Sequence, residues 1–234
     1  IMAYISDKRA LIDFNKFGDK IYRHKEKIFY ILLAVVAAVY VGLRTSYNDT
    51  QTYRYSYELM AAGINNILDL DLSLAANPGF NILNTMLKTI GFSTQDFLMI
   101  YALITVVIYF WFVRKYSDNI WLSVFLFFAM GCYTFTMAAI KQCVAVAFCL
   151  VGIDRLLREK KLSFVFWILL ASTFHPYSLM YLISPFLMFE AWTNKTYLLL
   201  AIFGLIGLGM QPLLGTVVDI TTMLGEEYDA TTFT

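Results

Sequence analysis

Five long stretches without Lys, Arg, Asp or Glu constrain the fold of this chain more than any other feature. A helix needs about 20 apolar residues to cross the hydrocarbon core of a bilayer, and these stretches approach or exceed that length. Only 15% of the 234 residues are charged, against about 25% in soluble domains, and the mean hydropathy is +0.64. The pattern therefore predicts a membrane protein. The stretches are Ile28–Leu43, Phe97–Val113, Asn119–Ile140, Leu162–Phe189 and Thr196–Val218.

We predict an all-α fold, a polytopic transmembrane helix bundle with short cytoplasmic loops, a large external loop and a broken helix near His175. A single transmembrane domain is expected over residues 28–218, between an N-terminal segment 1–27 and an external segment 219–234. The predicted spans lie near residues 28–43, 97–113, 120–137, 140–157, 162–189 (broken) and 196–214.

Charged residues flank the predicted spans rather than interrupt them. Gln142–Ile153 is shorter than a span, but it crosses if Lys141 and Arg155 extend outward from its two ends. With each run taken as one crossing, 13 of the 18 Lys and Arg residues fall on one side and 4 on the other, with Lys195 unassigned. The positive-inside rule places the first side in the cytoplasm.

The N-terminal segment 1–27 is mostly polar and basic, so it does not resemble a cleavable signal peptide. Leu11, Phe14, Phe17 and Ile21 recur in it at helical spacing. We interpret it as an amphipathic helix on the inner leaflet or as an ordinary helix of a cytoplasmic loop. Because the chain opens on Ile and closes in a half-polar stretch, we expect both ends to be cuts in a longer protein.

Residues 44–96 form the longest predicted external segment. Asn77-Pro78-Gly79 is a strong turn signal within it, and apolar residues then repeat at helical spacing up to Ile90. This stretch is too short and too polar to cross the membrane. We expect a re-entrant or interfacial helix that is buried in protein or lies at the headgroups, where its backbone is satisfied.

The run 162–189 is interrupted around His175. Pro176 removes a backbone donor and disfavours helical geometry at the preceding residue. The segment is either one kinked crossing or two half-helices that meet at a break near the outer face, and the sequence leaves both readings open.

Arg44 lies at the outer end of the first predicted span and is followed by Asn48, Asp49 and Tyr53. It is either an interfacial anchor that extends to the headgroups, or a planar cation that holds phosphate oxygens. In the second case Asp49 orients the guanidinium or contacts sugar hydroxyls.

Lys141 and His175 complete the candidate set on the same predicted outer face. Lys141 opens a helix at its N-terminal end, where the free amide groups favour anions; the alternative is a lysine in a tight turn. His175 is either a neutral imidazole that accepts a proton, or a structural residue bonded to a carbonyl that Pro176 frees.

Several classes of function are disfavoured. The net charge of +1 does not indicate a nucleic-acid binder. The odd number of cysteines, all in apolar segments, predicts small core residues rather than disulfides or a metal site. We expect neither a metal nor a cofactor. The cysteines are Cys132, Cys143 and Cys149.

Taken in order, these motifs resemble the EpsG-like branch of the Wzy-type polysaccharide polymerases, from about Ile28 to Phe189. The resemblance differs at Lys141, where family members typically carry Arg, and at Pro176. The motifs that carry it are Gly42-Leu43-Arg44, Asn48-Asp49-Thr50 with Tyr53, Asn77-Pro78-Gly79-Phe80, Lys141-Gln142, Arg114-Lys115-Tyr116, and Phe174-His175 with Ser178.

The resemblance implies an integral-membrane glycosyltransferase of the GT-C-like class in the bacterial cytoplasmic membrane. Such enzymes polymerise oligosaccharide repeat units linked to undecaprenyl pyrophosphate, on the outer face. Membrane lipids and a polysaccharide chain-length regulator are the other expected partners. The alternatives are a flippase or other transporter with a midplane site, and a non-catalytic scaffold. The predicted catalytic residues are His175, Arg44 and Lys141, and the predicted substrate-binding residues are Asp49, Asn48, Tyr53, Gln142 and Ser178.

Overall fold

The computed structural model describes residues 10–14, 20–24, 28–63, 65–188, 194 and 196–205. The chain divides into two compact units between Pro185 and Phe186. The end of the predicted span 196–214 and the predicted external segment 219–234 lie outside the described residues.

Helices account for most of the described residues. All elements except α11 begin in the first unit. The strands are β1 Ala10–Phe14 and β2 Lys20–His24; the α-helices are α1 Ile28–Gly42, α2 Thr50–Leu59, α3 Asn65–Leu68, α4 Pro78–Ile90, α5 Thr94–Tyr116, α6 Ile120–Ala129, α7 Cys132–Ala138, α8 Ile140–Leu157, α9 Lys161–Ser172, α10 Ser184–Leu187 and α11 Thr196–Leu205; the 3₁₀ segments are Leu74–Ala76 and Pro176–Ile183.

The N-terminal segment contains a β-hairpin, so the predicted amphipathic helix is wrong there. β1 pairs antiparallel with β2, with Ala10 opposite His24 and Phe14 opposite Lys20. A helix through this segment would have to continue across Gly18, which is unfavourable in a helix interior. Strand pairing instead satisfies the backbone of a stretch rich in Ile and aromatic residues.

As far as the structure describes them, the other predicted runs are mostly helical, and one of them can cross a bilayer alone. Among the described helices, only α5 is long and apolar enough to span a membrane unbroken. α6 and α7 pass the same test together, but they are bent by 50° at a break. Gly131 adopts a left-handed φ of 77° at that break, so the run predicted as one span near 120–137 is interrupted. The full set of crossings stays a prediction.

α1 and α5 pack antiparallel at close range. The Tyr30 hydroxyl donates to the carbonyl of Phe110 at 2.8 Å, and at the other end the Gln95 amide donates to the carbonyl of Gly42 at 2.5 Å. A Cβ on Gly42 would lie 2.5 Å from the Met99 sulfur, so the helices approach too closely there for a larger residue.

α8 packs against both α5 and α9. Cys143 and Cys149 of α8 are fully buried, as the core interpretation predicts, whereas Cys132 is exposed. A Cβ on Gly152 would lie 3.1 Å from Ile168 of α9. The hydroxyl of Tyr109 on α5 donates to the carbonyl of Cys143 at 3.1 Å. These contacts place α8 in the interior of the first unit.

One end of the α5–α8 pair is held by a charged cluster around a buried carboxylate. Asp154 is 1% exposed and accepts a hydrogen bond from the Tyr116 hydroxyl at 2.7 Å. It also forms ion pairs with Lys115 and, at 3.3 Å, with Arg158. Because these residues lie at the C-terminal ends of both helices, α5 and α8 run in the same direction.

Candidate functional site

Arg44 is a buried cation that the chain around it holds in place. It is 8% exposed; its Nη1 donates to the carbonyl of Val41 at 2.6 Å and its Nε to Thr50 Oγ1 at 3.1 Å. Burial lowers the pKa of Arg44 to about 10, which still leaves it charged at neutral pH. Since the guanidinium is directed inward, the alternative of a headgroup anchor does not fit.

Thr50, rather than Asp49, orients the guanidinium. The Thr50 hydroxyl accepts from Arg44 and donates to the carbonyl of Tyr47 at 2.6 Å, so it fixes the loop between α1 and α2. Asp49 makes no ion pair within the described residues and lines a neighbouring groove instead. The expected contact between Asp49 and Arg44 is therefore wrong, while a contact of Asp49 with sugar stays open.

Lys141 lies in the first turn of α8 and extends over two aromatic rings. Its Nζ is 5.0 Å from the centroid of the Phe80 ring and 5.9 Å from that of Tyr53. The two rings meet edge-on, with centroids 5.8 Å apart. Within the described residues Lys141 has no carboxylate partner, so its charge is balanced only by the faces of the rings.

His175 lies at a true break rather than a kink. α9 ends at Ser172, and His175 has extended backbone with φ −156° before the 3₁₀ segment begins at Pro176. Its imidazole meets the Tyr177 ring edge-on at 5.2 Å and makes no hydrogen bond within the described residues. The structural alternative, an imidazole bonded to a freed carbonyl, is not observed. Lys141 is near enough for its charge to act on the imidazole.

The Asn77-Pro78-Gly79-Phe80 motif joins α4 to this break. The Gly79 amide donates to the carbonyl of Thr173 at 2.9 Å. A Cβ on Gly79 would lie 2.1 Å from Thr173 Oγ1, so only glycine fits. Asn77 has a left-handed φ of 55° and turns the chain into α4. The motif thus brings Phe80, and with it Lys141, next to the segment that carries His175.

A groove of about 370 Å³ extends from Lys141 along the space between α2 and α4. Polar and aromatic side chains line this α2–α4 groove. Burial, and then the charge of Asp49, raise the pKa of Tyr53, so its hydroxyl stays protonated and able to donate. The lining residues are Asp49, Thr52, Tyr53, Ser56, Tyr57, Met60, Phe80, Asn81, Asn84 and Lys141.

Three predicted substrate-binding residues do not line the groove. Asn48 is exposed in the loop before α2, with a φ of 43°. Gln142 is exposed on α8, and its side chain makes no hydrogen bond among the described residues. Ser178 is buried and lies within hydrogen-bonding reach of the Cys149 thiol, in the core. Each is a sequence neighbour of a groove or break residue, but its side chain points elsewhere.

Sequence reasoning missed most of the groove. Ser56, Tyr57 and Met60 lie three, four and seven residues after the predicted Tyr53 and so share one face of α2 with it, a spacing that could have been recognised. Asn84 follows Phe80 by one helical turn.

Comparison with known proteins gives a family and no individual relative. Neither the curated proteins nor the solved structures contain a match. A family model matches residues 27–230, which is most of the chain and includes every residue of the candidate site. The chain belongs to the EpsG family.

Proposed function

We propose that the protein polymerises oligosaccharide repeat units linked to undecaprenyl pyrophosphate into an exopolysaccharide, capsule or O-antigen. Membership of the EpsG family indicates a membrane protein of polysaccharide biosynthesis. The finer assignment depends on one observation: Lys141 lines a polar, aromatic groove, and the start of α4, which forms one wall of that groove, hydrogen-bonds the break that carries His175 through Gly79 and Thr173.

In this proposal the cations neutralise the pyrophosphate of the lipid-linked donor as its bond to the sugar breaks. Lys141 lines the groove and has no carboxylate partner within the described residues, so its ammonium contacts the phosphate. Arg44 is buried, donates a hydrogen bond to Thr50, and adds a fixed positive potential. Removing one group that stabilises the charge on a leaving group typically lowers the rate by about 10²–10³-fold.

His175 accepts the proton of the attacking sugar hydroxyl, or orients that hydroxyl. Its ring nitrogens are free of hydrogen bonds within the described residues, as an incoming hydroxyl requires. General-base help of this kind is worth about 10²–10⁴ in rate. The hydroxyl oxygen forms the new bond to the anomeric carbon, and the pyrophosphate leaves on its lipid.

The proposed location is the outer face of the cytoplasmic membrane. The groove lies at the N-terminal ends of α5 and α8, and the basic cluster around Asp154 lies at their C-terminal ends. At 1.5 Å of rise per residue, Lys141 and Asp154 are about 20 Å apart along α8. The basic end matches the positive-inside expectation for the cytoplasm. A chain-length regulator remains an expected partner.

A lipid-linked glycan flippase is the second candidate. The bent pair α6 and α7 and the break at His175 are features that transporters share. Against this, Arg44 and His175 both lie near the start of α8, close to Cys143 and Lys141 respectively. A transport site would be expected nearer the middle of the helices.

The test uses Arg44→Ala and His175→Ala in the full-length protein, with polymer length measured on gels from cells. We expect both variants to lose long polymer while expression stays normal. Lys160→Ala is the matched control, because Lys160 is exposed at the opposite end of the helices. Normal polymer in both site variants would reject the assignment. Repeat units that accumulate inside the cell, rather than outside, would favour the flippase.

A further inference from the structure

Asn84 is a buried polar residue that takes no part in the chemistry proposed above. It is 3% exposed and lines the α2–α4 groove. The Tyr101 hydroxyl donates to Asn84 Oδ1 at 2.8 Å. Because Oδ1 is used in this way, the orientation of the carboxamide is fixed and Nδ2 is directed away from Tyr101.

The amide nitrogen of Asn84 has no protein partner in the described part of the chain. Among the described residues, the hydrogen bond from Tyr101 to Oδ1 is the one that the Asn84 side chain makes. Nδ2 keeps some access to solvent, and the cavity that Asn84 lines is the α2–α4 groove. We therefore take Nδ2 to open into this groove. A buried donor that is fixed in orientation and open to a cavity is suited to bind an oxygen of a ligand, since leaving it unpaired is costly.

Charge is distributed unevenly along the groove. α2 and α4 run side by side in the same direction, since Tyr53 contacts Phe80 near their starts, and Lys88 Nζ donates to the carbonyl of Glu58 at 3.3 Å near their ends. The two charged lining residues, Asp49 and Lys141, both lie at the starting end. Beyond them the lining is uncharged.

The uncharged part combines hydroxyls and amides with aromatic rings. Hydroxyls and amides exchange hydrogen bonds with sugar hydroxyls, and ring faces pack against the apolar C–H faces of sugars. Lys88 lies 5.1 Å from the centroid of the Tyr57 ring but is not part of the lining. The uncharged lining residues are Thr52, Tyr53, Ser56, Tyr57, Met60, Phe80, Asn81 and Asn84.

We propose that the α2–α4 groove is a subsite for uncharged sugar residues of the glycan, in which Asn84 determines specificity by donating a hydrogen bond from Nδ2 to a sugar hydroxyl. Tyr101 is the positioning residue that holds the amide in the donating orientation. The inference depends on the proposed function, because it treats the groove as continuous with the pyrophosphate site at Lys141.

The experiment measures the binding of simple glycosides by saturation-transfer NMR, using the full-length protein in nanodiscs. The probes are methyl β-D-glucopyranoside and methyl N-acetyl-β-D-glucosaminide, with methyl β-D-glucuronide as the charged counterpart. We expect the neutral probes to bind and the glucuronide to bind markedly less. Asn84→Leu should weaken neutral binding about tenfold, because it removes the donor at nearly constant volume.

Tyr101→Phe separates positioning from direct contact. It should weaken binding about threefold, because the amide can then rotate away from the donating orientation. Added to Asn84→Leu, it should cause no further loss, whereas two independent structural effects would add. Asn65→Leu is the matched control, since Asn65 is exposed on α3 outside the groove.

The inference is overturned if no neutral glycoside binds, if the glucuronide binds equally well, or if Asn84→Leu binds like the unaltered protein. If Asn84→Leu does not fold, Tyr101→Phe decides alone, because it removes a single hydroxyl. His175→Ala distinguishes the two proposals: it should stop polymerisation yet keep glycoside binding. Glycoside binding with normal polymer in His175→Ala would reject the proposed function and leave the subsite intact.

Discussion

Basic residues at the two ends of α8 differ in how their charge is balanced. Around Asp154, Lys115 and Arg158 pair with a buried carboxylate, and Tyr116 completes its hydrogen bonds. At the other end, Lys141 lies on aromatic rings and Arg44 bonds only neutral oxygens. No described carboxylate pairs with either of these two cations.

This difference distinguishes cations that stabilise the fold from cations that are available to a ligand. A cation next to a buried carboxylate is already neutralised and serves to join two helices. A partly buried cation without such a partner is electrostatically unsatisfied, so an anionic ligand is stabilised beside it. In the proposed function the anion therefore binds at the groove end, whereas the Asp154 end joins the two helices.

Reversing the charge of Lys141 should have the largest effect. Lys141→Glu should lower the proposed polymerase activity by about 10²-fold or more, because it places a negative charge where the proposed function requires the pyrophosphate to bind. Lys141→Arg should be tolerated, since it keeps the charge and adds a planar fork. The measurement is polymer yield per expressed protein, with Lys160→Glu as the control. Equal tolerance of Glu and Arg would remove Lys141 from the site.

Gly79→Ala tests whether the groove end depends on close contact between α4 and the break. The new Cβ would collide with Thr173, at a cost of about 1–3 kcal/mol for overpacking. We expect a lower thermal midpoint and lower activity together, because Phe80 and the His175 segment move apart. Combining it with Thr173→Gly should restore part of both. If Gly79→Ala alone behaves like the unaltered protein, the contact does not matter.

Asp154→Asn should affect stability without affecting chemistry. It removes the charge that neutralises Lys115 and Arg158, which we expect to destabilise the protein by about 1–3 kcal/mol. Activity per folded molecule should be unchanged, because the groove lies at the other end of α8. Thermal unfolding and activity are measured on the same preparation, with the exposed Asp69→Asn as control. A loss of activity at unchanged stability would contradict the division of roles.

Thr50→Val should give the smallest effect. It keeps the shape of the side chain but removes the oxygen that accepts from Arg44 Nε. Because the Val41 carbonyl still holds Nη1, we expect activity to fall only about five- to tenfold, which corresponds to about 1–1.4 kcal/mol, the value of one ordinary hydrogen bond. Thr50→Ser should restore activity in the same polymer assay. An unchanged Thr50→Val would mean that Arg44 needs no second anchor.

Local signals in the sequence predicted the helices well. α1, α5 and α8 occupy their predicted runs because apolar length and helical spacing are properties of neighbouring residues. The same spacing failed at Leu11 to Ile21, where a hairpin forms, because a few apolar residues fit both a helix and a strand pattern. The bend at Gly131 was also missed, since a single glycine does not by itself specify a break.

The candidate site was predictable only in part. Arg44, Lys141 and His175 could be found because charge is rare in apolar sequence. Asn48, Gln142 and Ser178 do not line the groove, because adjacency in sequence does not set the direction of a side chain, and their binding of substrate stays a prediction. Asn84 was overlooked because a neutral amide carries no signal until its surroundings are known.

The sequence by itself determined the membrane-type composition, the positions of most helices and the small set of cations in apolar surroundings, all of which follow from properties of nearby residues. Only the tertiary structure decided which cation is neutralised, which face of α2 meets α4, and that Gly79 joins the groove to the break at His175. These depend on contacts between residues that are far apart in the chain, and such contacts are fixed by packing and hydrogen bonding rather than by local pattern.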